Sequence, residues 1–296
     1  MNAISVNGIT VDYGDGKGVF NLSFSVKKGE VLGFLGPNGA GKTTTIRQLM
    51  GFARPGSGSC TISDLDCKTH AAEIQKHVGY LPGEIAFMDD MTGMQFIKFV
   101  AEMRGLRDLS RAHKLIEYFE LNPGGKIKKM SKGMKQKIGI VCAFMHNPET
   151  LILDEPTSGL DPLMQSKFID LIAEEKKKGT TILMSSHMFE EIERLCDRAI
   201  IIKAGRLMAD EDIKSLGAKK RLGFVVTLKT DEMAEAFAEE PIEVESIKGT
   251  RVTVKLQGDI MPLIHAMGRY HVVGLEPISQ KLEDLFMNFY GGAKND

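Results

Sequence analysis

The residues best suited to chemistry form a glycine-rich stretch near the start of the chain. They fit the pattern Gly-x-x-x-x-Gly-Lys-Thr in the run Gly36-Pro37-Asn38-Gly39-Ala40-Gly41-Lys42-Thr43, which Thr44 follows. Glycines let such a loop curl until its backbone N–H groups converge on a phosphate. The lysine neutralises the β and γ oxygens of a nucleotide, and the threonine hydroxyl ligates Mg²⁺. The spacing predicts a site for ATP and Mg²⁺, with Lys42 in a catalytic role and Thr43 as a metal ligand.

Two adjacent carboxylates are the second candidate group. Asp154 and Glu155 follow the apolar run Leu151–Leu153, which indicates a buried strand. In open α/β sheets, ligands bind at the carboxyl ends of the strands. We expect Asp154 to hold Mg²⁺ through water and Glu155 to polarise the attacking water. Taken alone, an apolar run followed by two carboxylates is more often a strand that ends in a polar turn. It indicates a catalytic site only because the chain also carries the phosphate loop.

The flanking segments have the form that a phosphate loop requires. Glu30–Leu35 is typical of a strand buried on both faces, and a helical pattern follows the loop until Gly51, placed as a C-cap. Alternation over Phe20–Val26 predicts a half-buried strand, which a glycine-rich turn links to an earlier strand at Gly8–Tyr13. Other core elements are predicted as strands at Thr180–Ser186 and Arg198–Lys203 and as a helix at Leu163–Lys178. These patterns predict an α/β core that includes an antiparallel β subdomain.

Two regions stand apart from this core. Residues 90–148 carry apolar stripes at helical spacing and are predicted to be helical throughout, as an insert over about 88–148; the first stripe is Phe96, Phe99, Val100 and Met103. The core would then span 1–215. A smaller α+β domain is predicted over 219–296, where the order strand-helix-strand-strand-helix-strand suggests a ferredoxin-like fold. Gln280–Tyr290 has the pattern of an amphipathic tail helix.

Composition sets limits on the function. A chain of 296 residues with 43% apolar and 26% charged residues suits two globular domains. Its net charge of −1 creates no long-range field toward nucleic acid or anionic lipid. Its apolar stretches fall short of the ~20 residues that span a bilayer, and its first residues lack the pattern of a signal peptide. The four cysteines lack metal-ligand spacing, so reduced thiols are expected.

Two further motifs make the chain resemble the ATP-binding cassette (ABC) ATPases over about residues 1–215. Met130-Ser131-Lys132-Gly133-Met134 is similar to that family's signature, usually Leu-Ser-Gly-Gly-Gln, and Ser158-Gly159-Leu160-Asp161 is similar to its D-loop. By the residues alone, Ser131 is equally well explained as a helix N-cap. The resemblance implies that Ser131 and Gly133 face the γ-phosphate bound by another subunit. A homodimer or heterodimer of cassettes would then sandwich two ATP molecules, and Lys132 would place a further cation near the partner's nucleotide.

Two single residues gain a role from the same resemblance. His187 follows a predicted strand, where the family's switch histidine contacts the γ-phosphate, although a lone histidine at a strand end is more often structural. Tyr13 occupies the position of the aromatic residue that stacks on adenine. A tyrosine at a strand end is as often a half-buried core residue.

The chain departs from the family's pattern at Gly83. The family usually has glutamine after the strand that here ends in Tyr80-Leu81-Pro82, where it bonds Mg²⁺ or the attacking water. Gly83 stands in its place, and Glu84 follows. Glu84 could offer a charged oxygen to the metal; alternatively the metal relies on Thr43, Asp154 and water.

Six lysines between Lys126 and Lys137 raise the question of nucleic acid. Aromatic residues for base stacking are not interleaved with them, and the chain is near neutral. A solvated face beside a phosphate-facing loop is the simpler interpretation, so no nucleic-acid partner is expected.

The resemblance implies an ATPase that powers transport. A single phosphate loop argues against the family's tandem translation factors, and the lack of a long heptad region argues against its chromosome-organising and repair members. A P-loop kinase would leave Met130–Gly133 and Asp161 unexplained. We therefore expect a cytoplasmic subunit, peripheral on the inner face of the membrane, that contacts a separate polytopic membrane subunit through Met88–Arg104.

The direction of transport rests on resemblance alone. Leu282-Glu283-Asp284-Leu285-Phe286 and the variation at Gly83-Glu84 resemble the bacterial drug-, antibiotic- and ion-exporting branch of the family. This favours export over import. The competing hypothesis is a non-transport ABC ATPase that acts as a regulatory or binding module on a soluble partner.

Overall fold

The computed structural model describes residues 1–218, 222–256 and 259–278. The chain divides into two compact units, Met1–Ile213 and Lys214–Asp296. In chain order the first unit contains β1 (Asn2–Asp12), β2 (Gly18–Lys27), β3 (Val31–Leu35), α1 (Lys42–Leu49), β4 (Ser57–Ile62), β5 (Leu65–Asp66), α2 (Ala71–His77), β6 (Val78–Leu81), α3 (Gly93–Met103), α4 (Ser110–Tyr118), α5 (Lys132–Phe144), β7 (Thr150–Asp154), α6 (Pro162–Lys177), β8 (Thr181–Ser186), α7 (Phe189–Leu195), β9 (Arg198–Lys203) and β10 (Arg206–Asp212). Helix α8 (Ile213–Ala218) begins at the last residue of the first unit and continues into the second. The predicted α/β class is confirmed.

A six-stranded sheet in the order β10-β9-β3-β8-β7-β6 forms the centre of the first unit. Strands β9, β3, β8, β7 and β6 are parallel, and β10 pairs antiparallel with β9. Every residue of β3, β7 and β8 is buried, as expected for parallel strands covered on both faces. The next residues after these strands are Gly36, Glu155 and His187. The sheet therefore brings three of the candidate groups to one edge.

The predicted antiparallel β subdomain is a sheet in the order β2-β1-β4-β5. The alternation predicted for β2 fails at its start, because Val19 is buried and Phe20 is only half-buried. Asn21 has a φ of 50°, and the pairing of β2 with β1 is irregular at this point. An extra residue in a β-bulge moves the preceding side chains to the other face. Leu22 and Val26 keep the predicted phase.

The prediction of helix throughout residues 90–148 is wrong. Helices α3, α4 and α5 are separate, and a 3₁₀ turn at Ile127–Lys129 lies before α5. The predicted apolar stripe of α3 is also wrong in part, because Phe96 is buried together with Ile97, whereas Met103 is 74% exposed. Apolar residues lie on several sides of α3. Spacing alone therefore did not identify its buried face.

The second unit contains β11 (Leu222–Leu228), α9 (Asp231–Ala238), β12 (Glu243–Lys248), β13 (Arg251–Leu256), α10 (Met261–Met267) and β14 (Val272–Ile278). Its sheet has the order β12-β13-β11-β14 with every pair antiparallel. This element order and pairing confirm the ferredoxin-like topology. Its core includes Val226, Phe237, Val252 and Leu263. The predicted tail helix Gln280–Tyr290, with its Leu282–Phe286 motif, lies outside the described residues.

A contact between an arginine and a histidine fixes the end of α3. Arg104 donates from Nη1 to Nε2 of His146 and to the carbonyl of Gln75, both at 3.0 Å. Because arginine only donates, Nε2 of His146 must accept, which requires the neutral imidazole. Burial and then the positive charge of Arg104 lower the pKa of His146 to about 4.

We expect the free energy of unfolding to fall as the pH is lowered from 6.5, the ordinary pKa of histidine, toward about 4. In this window the unfolded chain binds a proton at His146 that the folded chain does not, so protons favour unfolding. Thermal unfolding of the wild type and the His146→Gln variant across this window would measure the effect. Glutamine can accept a hydrogen bond from Arg104 but does not titrate, so the free energy of unfolding of the variant should fall less than that of the wild type. Equal losses would assign the pH dependence to another group.

Candidate active site

The phosphate loop lies between β3 and α1, where the sequence predicts it. Gly41 precedes α1 with a φ of 108°, a backbone conformation that residues other than glycine rarely adopt. The ammonium of Lys42 donates to the carbonyls of Gly36 at 2.7 Å and Pro37 at 3.2 Å. Lys42 is only 5% exposed. It points back across its own loop, where a phosphate would compete with two carbonyls for it.

Glu155 joins the lysine to the candidate histidine. Its Oε1 lies 3.5 Å from Nζ of Lys42 and 3.5 Å from Nδ1 of His187. Glu155 is 27% and His187 53% exposed, so both side chains reach solvent. Glu155 has a φ of 47°, so the turn after β7 is held in a sparsely populated conformation. The structure therefore brings together three residues that are far apart in the sequence.

Asp154 lies beneath this group with both carboxylate oxygens bonded. Its Oδ2 accepts from the Thr43 hydroxyl at 2.7 Å, and its Oδ1 accepts from the Ser185 hydroxyl. Asp154 is 1% exposed. Carboxylate and hydroxyl oxygens are the ligand type that Mg²⁺ prefers. Thr43 and Asp154 thus fit the metal site that the sequence predicts.

Gly83 lies beside the same carboxylate. A Cβ added to Gly83 would be 3.3 Å from Oδ2 of Asp154. A cavity of about 920 Å³ opens here, and its lining includes Thr43, Asp154, Gly83 and Glu84. Glu84 is exposed on this wall. The structure places Glu84 beside the candidate metal ligands, and its role as a ligand stays a prediction.

Tyr13 lines a smaller cavity over the phosphate loop. It is 64% exposed, so its interpretation as a half-buried core residue is wrong. This cavity of about 390 Å³ is lined by Tyr13, Lys17, Gly18, Asn38, Gly39, Ala40, Gly41, Lys42, Thr43, Thr44 and Glu155. Within the described part of the chain, Ser131 and Gly133 are absent from that lining. The aromatic ring is thus available to a base, whereas the signature segment contributes nothing to this cavity.

The signature segment packs against the Ser158–Gly159 turn of the same chain. Ser131 caps α5 by accepting a hydrogen bond from the backbone N–H of Met134 at 3.2 Å, which confirms the N-cap interpretation. Lys132 donates from Nζ to the Ser158 hydroxyl at 2.8 Å. A Cβ added to Gly133 would lie 2.7 Å from the carbonyl oxygen of Gly159. The start of α5 and this turn are therefore in direct backbone contact.

We expect Gly133→Ala to lower the free energy of unfolding by about 1–3 kcal/mol, the usual range for an overpacked site. The added Cβ would meet the Gly159 carbonyl at 2.7 Å, so backbone must move. ATP turnover should fall as well, because the displaced turn follows Glu155. Denaturant unfolding and phosphate release would measure both effects. Gly125→Ala is the control, since its Cβ would meet only Met130 at 3.8 Å; equal behaviour of the two variants would contradict the prediction.

Four polar residues near the site, Ser185, Thr157, Ser186 and Glu191, were not identified from the sequence. Ser185 bonds Asp154, while Thr157 and Ser186 both bond the buried carboxylate of Glu191. Hydroxyls in an otherwise apolar, buried strand, such as Ser185 and Ser186 at the end of β8, were the available signal. Buried polar groups need hydrogen-bond partners.

This arrangement defines a P-loop ATPase: a phosphate loop after β3 and two carboxylates at the end of β7 meet at one edge of a largely parallel sheet, with β8 between the two strands. None of the helices in the described ranges has the length and hydropathy of a membrane span. The sequence profile of ABC transporters matches residues 19–158.

Relatives cover the chain over almost its full length. The linearmycin resistance ATP-binding protein LnrL of Bacillus subtilis is 32% identical over 99% of this chain and 100% of its own. The bacitracin transport ATP-binding protein BcrA of Bacillus licheniformis is 33% identical over 98% of both. MJ0796, solved as a dimeric bacterial ABC transporter cassette, matches with a TM-score of 0.65 at 21% identity, over 71% of this chain and 98% of that one, and shows the fold. The chain belongs to the ABC transporter family as an ATP-binding, ATP-hydrolysing subunit.

Proposed function

We propose that this subunit powers an exporter by closing with a second cassette over two ATP molecules and so driving a separate polytopic membrane subunit. The observation that carries the proposal is the incomplete cavity over the phosphate loop. Tyr13, Lys17, Gly18, the loop and Glu155 line it, and the signature residues Ser131 and Gly133 do not. A second copy or a related cassette would supply them from outside; MJ0796, a cassette of the same fold, was solved as a dimer.

Within one cassette the side chains divide the work of hydrolysis. Lys42 exchanges its two loop carbonyls for oxygens of the β- and γ-phosphates. Glu155 accepts a proton from the attacking water, and His187, 3.5 Å from Glu155, faces the γ-phosphate. Thr43 and Asp154 would hold Mg²⁺, which neutralises phosphate charge when bound. Tyr13, exposed beside the loop, stacks on the adenine.

The helical insert supplies the surface toward the membrane subunit. Met88 is 46% and Met103 74% exposed, and exposed methionines suit a contact with another protein. The subunit would then lie on the cytoplasmic face of the membrane. Two relatives that match this chain along almost its full length favour export. LnrL is a linearmycin resistance protein, and BcrA is a bacitracin transport protein. Residues 1–215 form the nucleotide-binding domain in this proposal, and 219–296 an accessory domain.

Co-purification tests the transporter proposal. The tagged chain should retain a polytopic membrane protein when isolated from detergent extracts of its own cells. Met103→Glu should weaken that association, whereas Met208→Glu, at a 44% exposed methionine on β10, should leave it intact. If the wild type instead fractionates with a soluble partner and no membrane protein, the competing function, a regulatory ABC ATPase, replaces the proposal.

A further inference from the structure

Glu191 is a buried carboxylate that bonds two hydroxyls from different segments. It lies in the first turn of α7 and is 7% exposed. Its Oε1 accepts from the Thr157 hydroxyl, and its Oε2 accepts from the Ser186 hydroxyl at 2.7 Å. Burying a charge without partners is costly, so these two donors account for its stability there. An apolar side chain would fill the same space without that cost.

Each hydroxyl adjoins one of the groups assigned to hydrolysis. Thr157 lies two residues after Glu155, and Ser186 immediately precedes His187. The Ser186 hydroxyl also accepts a hydrogen bond from the backbone N–H of Met188 at 2.9 Å. This bond links the residue before His187 to the residue after it. The two turns that carry Glu155 and His187 are therefore tied to a single carboxylate.

The space between the catalytic groups reaches this carboxylate. Glu155, His187 and Glu191 line one cavity of about 230 Å³, together with residues of the Ser158–Gly159 turn. Oε1 of Glu155 lies 3.5 Å from Nδ1 of His187. Both are partly exposed, and the turn at Glu155 has a strained φ of 47°. Such a turn keeps its conformation only when surrounding contacts fix it.

We propose that Glu191 is a positioning residue for ATP hydrolysis: it holds the turns after β7 and β8 at the spacing in which Glu155 and His187 act together. The inference rests on the proposed roles of those two residues. Glu191 itself does not touch the nucleotide. Its loss should therefore reduce the rate of the chemical step and leave the phosphate loop, which binds the nucleotide, unchanged.

Steady-state hydrolysis by hydroxyl and carboxyl variants tests the proposal. Glu191→Ala should lower kcat by about 10- to 100-fold, the cost of a small misplacement of reacting groups, with the KM for ATP nearly unchanged. Thr157→Val should also lower kcat, because it removes one hydroxyl at constant shape. Thr157→Ser keeps that hydroxyl and should restore most of the rate. The double variant Glu191→Ala/Thr157→Val should lose less than the product of the two single effects.

Two outcomes would overturn the inference. A wild-type kcat in Thr157→Val would show that the hydrogen bond between Thr157 and Glu191 is not needed for hydrolysis. Because this variant is conservative, it tests the inference even if Glu191→Ala does not fold. A rise in KM with unchanged kcat would place Glu191 in nucleotide binding instead. Failure of the proposed chemistry can be distinguished from failure of this inference. Full turnover in Glu155→Gln would show that Glu155 is not the general base, whatever the Glu191 variants do.

Discussion

The Glu155→Gln variant is expected to lose ATP turnover by about 10²- to 10⁴-fold, the range for removal of a general base. Glutamine keeps the size of the side chain and its contact with solvent, but it cannot accept the proton of the attacking water. Lys42 keeps its bonds to Gly36 and Pro37 in the variant, so the phosphate loop remains intact. ATP should therefore still bind.

The same variant should accumulate as an ATP-bound dimer. If the two cassettes close over ATP and separate after hydrolysis, a chain that binds without hydrolysing stays closed. Phosphate release and size-exclusion chromatography with ATP would measure the two effects. Glu149→Gln is the control, because Glu149 is an exposed carboxylate immediately before the same strand. Full turnover in Glu155→Gln would eliminate Glu155 as the base.

The positions of the candidate groups Glu155 and His187 could be predicted because each follows a buried strand. Continuous apolar runs identified β3 and β7, and parallel strands end at one edge of their sheet. The neighbour relations could not be predicted in the same way. Strand β8 lies between β3 and β7, with Asp154 opposite Ser185 in the register. That order, which no local pattern encodes, puts Ser185 on the Asp154 carboxylate.

The errors in the helical insert and in β2 have a different origin. In α3, apolar side chains occur on the buried and on the exposed side, and Met103 shows that an exposed one can fit the helical period. In β2, a single residue with positive φ, Asn21, reverses the phase of the alternation before it. Periodicity assumes that one face is apolar and that the backbone is regular. Each error marks a place where one of these conditions fails.

The Ser131→Arg variant is expected to block turnover while the affinity of its own phosphate loop for ATP is unchanged. Ser131 is exposed and does not line the cavity over that loop. In the proposed dimer it faces the γ-phosphate of the other subunit, where a bulky cation would prevent closure. Loss of the N-cap bond to Met134 would cost about 1 kcal/mol, too little to unfold the chain. ATP binding, phosphate release and thermal unfolding would separate these effects.

A mixture of two inactive variants gives the sharper test of the shared site. Lys42→Ala removes the phosphate-binding cation, and Ser131→Arg blocks the opposite half of the site. In a mixed dimer both defects fall on one composite site, and the other site receives an intact Lys42 and an intact Ser131. Random mixing should then restore roughly a quarter of the wild-type rate, because half of the dimers are mixed and each has one intact site of two. Restored turnover would also show that the Ser131→Arg chain is folded, whereas a mixture as inactive as its components would mean that each chain hydrolyses ATP with its own residues alone.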